Sequence, residues 1–89
     1  MTDPHDRAEA EHRQRRVDAH EKAAETHGSA ARLHDAAAEF FDEHHKDDSA
    51  ERERDLADKE RHAADASRQD ADRERAPSHD EGPSQEPAR

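Results

Sequence analysis

The sequence predicts an all-α protein: a helical hairpin or coiled-coil-like self-associating helices, followed by a disordered C-terminal tail. Three observations support this fold class. Alanine, arginine and glutamate, which favour helices, are abundant in a chain of 89 residues with a formal net charge of -10. No proline interrupts the chain between Pro4 and Pro77. Alanine and histidine recur with a seven-residue period between His20 and Phe41.

Two helices of unequal character are expected, joined by a short junction. Asp3 is a suitable N-cap and Pro4 suits the first helical position. Asp48 and Glu51 have the spacing of a capping box for the second helix. The predicted segments are an N-terminal cap (1–3), an alanine/histidine helix (4–46), a junction (47–49), a charged helix (50–76) and a disordered tail (77–89).

The repeat places alanine, histidine and most of the large apolar residues on one face of the first helix. Each unit begins with histidine, at His20, His27 and His34, and carries two alanines three and four residues later. At about 100° per residue, these positions share one face and the charged residues occupy the opposite one. We therefore expect this face to be an interaction seam between helices. The predicted seam comprises Val17, His20, Ala23, Ala24, His27, Ala30, Ala31, Leu33, His34, Ala37, Ala38, Phe40 and Phe41.

The second helix carries a thinner stripe. Its alanines at 50, 57, 64 and 71 also recur every seven residues, but they are out of phase with the first repeat. This phase break favours two helices and a turn over one continuous rod. Most other positions are charged, as expected for a solvated helix with many local ion pairs.

Composition argues against catalysis and against several classes of partner. The large apolar residues are too few to build an enclosed catalytic pocket, so we expect no enzyme activity. The chain is acidic and has only two aromatic residues of the Phe, Trp and Tyr class, which disfavours nucleic acid. No stretch has membrane-spanning length and no secretory signal is evident, so a cytoplasmic protein is expected.

Three interpretations of the histidines remain open. The histidines could be residues of a packing seam, ligands of a divalent metal such as Zn, Ni or Cu, or sensors of pH. Residues seven apart on a helix are separated by about 10.5 Å, so a metal at His20, His27 or His34 needs ligands from another helix. His44 and Asp48 could chelate weakly if one helix runs through both. If the histidines sense pH, repulsion between charged imidazoles weakens association as the pH falls from 8 to 5.5.

The three His-x-x-Ala-Ala-x-x units at 20–40 resemble those of short alanine/histidine heptad proteins of actinobacteria. The resemblance implies a helical chain and no particular activity. The sequence thus predicts a non-catalytic helical interaction or assembly protein, without a required cofactor, that forms a homo-oligomer or binds a protein partner through the alanine/histidine face. The alternatives are histidine-based metal binding and a mostly disordered, stress-type hydrophilic protein that folds on a partner.

Overall fold

The computed structural model describes residues 3–76, which form two α-helices packed against each other as an antiparallel hairpin. Helix α1 spans Pro4–Glu43 and helix α2 spans Asp47–Arg75. The all-α hairpin predicted from the sequence is therefore confirmed, and no strand occurs within these residues. The predicted tail at 77–89 lies outside the described residues, as do the first two residues of the predicted cap.

The N-terminus of α1 is capped by an aspartate side chain. Asp3 has an extended backbone, and its Oδ1 accepts a hydrogen bond from the backbone N–H of His5 at 3.1 Å. Pro4 follows at the first helical position, where the missing N–H costs nothing and the fixed φ suits a helix. From there α1 continues without interruption for 40 residues, through Gly28.

Helix α1 ends earlier than predicted, in a left-handed turn. The predicted helix reached residue 46 and was followed by a junction at 47–49, but α1 stops at Glu43 and the connection is 44–46. The reason is His45, which adopts a φ of 59°. Its N–H donates to the carbonyl of Asp42 at 3.1 Å, and the N–H of Lys46 donates to that of Phe41 at 2.8 Å. These two bonds form a Schellman motif that satisfies the last carbonyls of α1.

Helix α2 begins three residues before the predicted start at 50. Asp47 and Asp48 lie in its first turn, where their negative charges are favoured by the helix dipole. The capping box expected from Asp48 and Glu51 is absent, because Lys46 is the N-cap and its side chain makes no capping hydrogen bond. At the other end α2 stops at Arg75, and Ala76 is extended, as expected for a residue that precedes a proline.

The hairpin is held by a narrow seam of small side chains. Its fully buried positions are seven residues apart on each helix and, apart from one valine, all are alanine. They are Val17, Ala24, Ala31 and Ala38 on α1, and Ala50, Ala57, Ala64 and Ala71 on α2. Alanine on both sides lets two backbones approach closely, so a long contact forms although each side chain buries little area. Within residues 3–76, neither helix is both long and apolar enough to cross a membrane.

Candidate interaction surfaces

One edge of the alanine/histidine face of α1 is covered by the chain's own second helix. Its residues Val17, Ala24, Ala31 and Ala38 are buried against the thin alanine stripe of α2. The predicted seam was expected to pair with another copy of the chain or with a protein partner. In the structure α2 covers the series Val17, Ala24, Ala31 and Ala38, so this series is not available for association while the hairpin is closed.

A ladder of histidine–glutamate contacts runs along one edge of this seam. His27 Nδ1 lies 2.6 Å from Glu60 Oε1, and His34 Nδ1 lies 2.6 Å from Glu53 Oε1. All four side chains are between about a quarter and two fifths exposed. Each rung is seven residues further along α1 and seven residues earlier on α2, as an antiparallel pair with a shared heptad requires.

The next position of the ladder lacks a carboxylate. The same seven-residue step brings His20 opposite Ser67. Within residues 3–76, His20 forms no ion pair, although it is half-buried like the other two histidines. The three histidines that look equivalent in the sequence repeat therefore have different surroundings.

These contacts change the expectation for the histidines. A protonated imidazole at His27 or His34 faces a carboxylate of α2, so the mutual repulsion that supported the pH hypothesis is replaced by a local attraction. No carboxylate of α1 lies three or four residues from His27 or His34, so these pairs depend on α2. The missing signal was that Glu53 and Glu60 are seven residues apart, as are His27 and His34.

The expected metal ligands are not brought together. Among residues 3–76, no group of three or more histidine, aspartate or glutamate side chains is placed to hold one ion. The paired site at His44 and Asp48 required one continuous helix, but the turn at 44–46 separates them. His44 instead contacts the carbonyl of Phe40 through Nδ1 at 2.8 Å, and its ring lies 4.1 Å from the Phe40 ring.

A second ladder, of acidic residues on α1 and arginines on α2, runs along the opposite edge. Arg61 donates to Asp35 at 2.8 Å. The same seven-residue step gives the pair between Arg54 and Asp42, and two steps in the other direction give the pair between Arg75 and Glu21. Hydrogen bonds to Asp58 and to Asp35 raise the pKa of the Arg61 guanidinium.

One rung of this second ladder is missing, at Gly28. The seven-residue step places Gly28 opposite Arg68, where the other rungs have an acidic side chain. Arg68 instead pairs with Asp65 on its own helix at 2.6 Å. A groove of about 720 Å³ lies at this point, and Gly28, Arg32 and Arg68 contribute to its walls. The gap is thus a local defect in an otherwise regular set of contacts.

The outer side of α1 carries a second heptad series, whose residues are exposed or half-buried in the hairpin. We call it the outer stripe. Five residues of the predicted seam belong here, and the two large ones, Leu33 and Phe40, are 71% and 52% exposed. The helical pattern of the sequence predicted both series as parts of one broad face. The outer stripe comprises Ala19, Ala23, Thr26, Ala30, Leu33, Ala37 and Phe40, at alternating spacings of four and three residues.

The outer stripe is uncharged over its whole length. Ser29 and Ala36 extend the uncharged surface along its margin, and Lys22 and Glu43 bound that margin at its two ends. All four of these flanking residues are exposed. In a chain with 45% charged residues, an uncharged surface about 20 residues long is a distinct feature.

No protein-family model, no curated protein and no solved structure matches this chain.

Proposed function

We propose that this chain is a non-catalytic helical interaction protein that binds a partner helix through the outer stripe of α1. The observation that carries the proposal is the presence of two heptad series on one helix. The alanine/histidine series is used to close the hairpin. The outer stripe repeats the same spacing, and its two largest side chains are exposed to solvent.

The composition of the outer stripe suits helix docking. Alanine and threonine at five of its seven positions permit a close approach of two backbones, as they do at the internal seam. Leu33 and Phe40 supply the apolar area whose removal from water favours binding. Apolar anchors at heptad spacing are the usual means by which one helix recognises another.

The outer side of α2 has a different character. Arg52, Asp55, Lys59 and His62 lie on exposed positions of α2, and the one large apolar residue of this helix, Leu56, is 40% exposed. Charged side chains with many local ion pairs favour contact with water over docking. We therefore assign the interaction surface to α1 and the solvated surface to α2.

Site-specific photo-crosslinking in the cells that produce the chain tests this function. A photoreactive residue replaces Ala30, in the outer stripe, or Asp55, on the outer side of α2. We expect discrete adducts from position 30 and none from position 55. Equal labelling from both positions, or no adduct from position 30, would contradict the proposal. Mass spectrometry of the adduct then identifies the partner as another copy of the chain or as a different protein.

A further inference from the structure

We infer that the partner of the outer stripe is a second copy of this chain, docked antiparallel so that the two α1 helices cross near Leu33. This inference rests on the proposed function, because it assigns the occupant of the same surface. Two independent properties of the outer stripe support it: the distribution of large and small side chains, and the charges at its ends.

The outer stripe is asymmetric in side-chain size. Its N-terminal half holds the small residues Ala19, Ala23 and Thr26, whereas its C-terminal half holds Leu33 and Phe40. A parallel pair in register would place Phe40 against Phe40 and leave the small residues facing each other. An antiparallel pair centred on Leu33 places Phe40 of each copy opposite Thr26 of the other, because both are seven residues from Leu33.

The surface around Thr26 has room for a large side chain. A shallow groove of about 430 Å³ lies there, with walls from Glu25, Thr26, Ser29, Ala30 and Leu33. Small residues beside a groove on one copy, and a half-exposed phenylalanine on the other, are complementary in shape. The two-fold axis produces this contact twice, as expected for an interface between identical chains.

The charges bounding the stripe are also self-complementary in the antiparallel arrangement. Lys22 and Glu43 lie on the same line of α1, three heptads apart, and Leu33 is close to their midpoint. Antiparallel docking brings Lys22 of each copy near Glu43 of the other. Parallel docking would bring lysine to lysine and glutamate to glutamate, which is unfavourable.

Sedimentation equilibrium on charge-reversed chains tests the arrangement. Lys22→Glu or Glu43→Lys alone creates a like-charge contact at both ends of the dimer, and we expect each to raise the dimer dissociation constant roughly tenfold. The double reversal, Lys22→Glu with Glu43→Lys, restores opposite charges and returns the constant to about the wild-type value. A double reversal no tighter than the single ones would overturn the antiparallel arrangement.

Cysteine crosslinking gives an independent test, because the chain contains no native cysteine. Under mild oxidation, Leu33→Cys chains are expected to crosslink with each other. Thr26→Cys chains alone are expected to remain uncrosslinked, but to form a mixed dimer when Phe40→Cys chains are added. Self-crosslinking of Thr26→Cys chains, without the mixed product, would indicate a parallel pair and overturn the proposal.

Leu33→Asp separates failure of the dimer from failure of the fold. Leu33 is 71% exposed, so we expect its replacement to leave the helical content unchanged while abolishing self-association. A wild-type chain that stays monomeric up to millimolar concentration would overturn the inference. The proposed function would still stand in that case if position 30 were crosslinked in cells to a different protein, and it would fail if position 30 formed no adduct.

Discussion

Nδ1 of His34 on α1 lies 2.6 Å from Oε1 of Glu53 on α2, and this contact joins the two helices beside their buried alanine seam. Together with the equivalent contact between His27 and Glu60, it defines which residues of the two helices face each other. A seam of alanine alone would tolerate a shift by one heptad, since every seventh residue is equivalent. The polar ladders favour the observed register, because a one-heptad shift would lose some of their pairs, and the short connection at 44–46 limits such a shift.

The first prediction concerns the coupling within this pair. In a double-mutant cycle with His34→Gln and Glu53→Gln, we expect a coupling of about 0.5–1 kcal/mol in the free energy of unfolding, because the pair is only partly exposed. Urea unfolding followed by circular dichroism at pH 6 measures it. His20→Gln is the matched control, since His20 faces Ser67, and we expect that substitution to show no coupling with Glu53→Gln. A coupling near zero for the His34 pair would contradict the assigned register.

A second prediction concerns the missing rung at Gly28. Among residues 3–76, a Cβ at this position would have one neighbour within 4 Å outside the nearby helix backbone, Nη1 of Arg32 at 3.9 Å, so a methyl group fits without rearrangement. Gly28→Ala should stabilise the chain by about 1 kcal/mol through helix propensity alone. Gly28→Glu should be more stable than Gly28→Gln by about 0.2–1 kcal/mol, because the carboxylate pairs with Arg68.

The control for the Gly28 prediction removes its partner. In an Arg68→Gln background, the advantage of Gly28→Glu over Gly28→Gln should disappear, whereas the gain from Gly28→Ala should remain. An advantage of glutamate that persists without Arg68 would show that the seven-residue step does not extend across this position. Thermal unfolding of the variants, measured at low salt so that screening is weak, distinguishes the two results.

A third prediction tests how closely the helices pack. Ala57 is fully buried between α1 and α2, so Ala57→Leu inserts three extra carbon atoms into a seam without space for them. We expect a loss of about 1–3 kcal/mol in the free energy of unfolding. Ala66→Leu places the same change at an exposed position of the same helix, and we expect it to be neutral within about 0.5 kcal/mol. Equal effects of the two substitutions would argue against a close alanine seam.

A fourth prediction concerns the turn. His45 has a φ of 59°, a conformation that costs a residue with a Cβ about 1 kcal/mol and costs glycine little. We expect His45→Gly to stabilise the hairpin by about that amount in chemical unfolding. His44→Gly is the control: His44 has a φ of -102° and contacts the Phe40 carbonyl, so glycine there should destabilise. Stabilisation by both substitutions, or by neither, would contradict the observed turn.

The helices themselves could be predicted from the sequence, because alanine-rich composition, the Asp3–Pro4 start and the lack of interior proline are local signals. The turn could not be located, since its left-handed position holds a histidine where a glycine is the usual signal. The phase break between the two alanine series did indicate that a turn exists. Its position depended on hydrogen bonds that sequence alone does not specify.

The sequence did not specify which helix covers the alanine series of α1, for a different reason. An alanine heptad can be covered equally well by a second copy or by another helix of the same chain. The stripe on α2 is thin and only Leu56 in it is large, yet small residues on both sides are what close packing requires. The glutamates Glu53 and Glu60, in step with the histidines, were the available signal that α2 itself fills this position.

The central claim is that the chain's own α2 closes the alanine/histidine face and so leaves the outer stripe for a partner. The most direct test is an isotope-filtered nuclear Overhauser measurement between the ring protons of His34 and the side-chain protons of Glu53, on an equal mixture of labelled and unlabelled chains. We expect this contact within single chains only, at every concentration. Its appearance between labelled and unlabelled chains would show that the face pairs two copies, which would contradict the account.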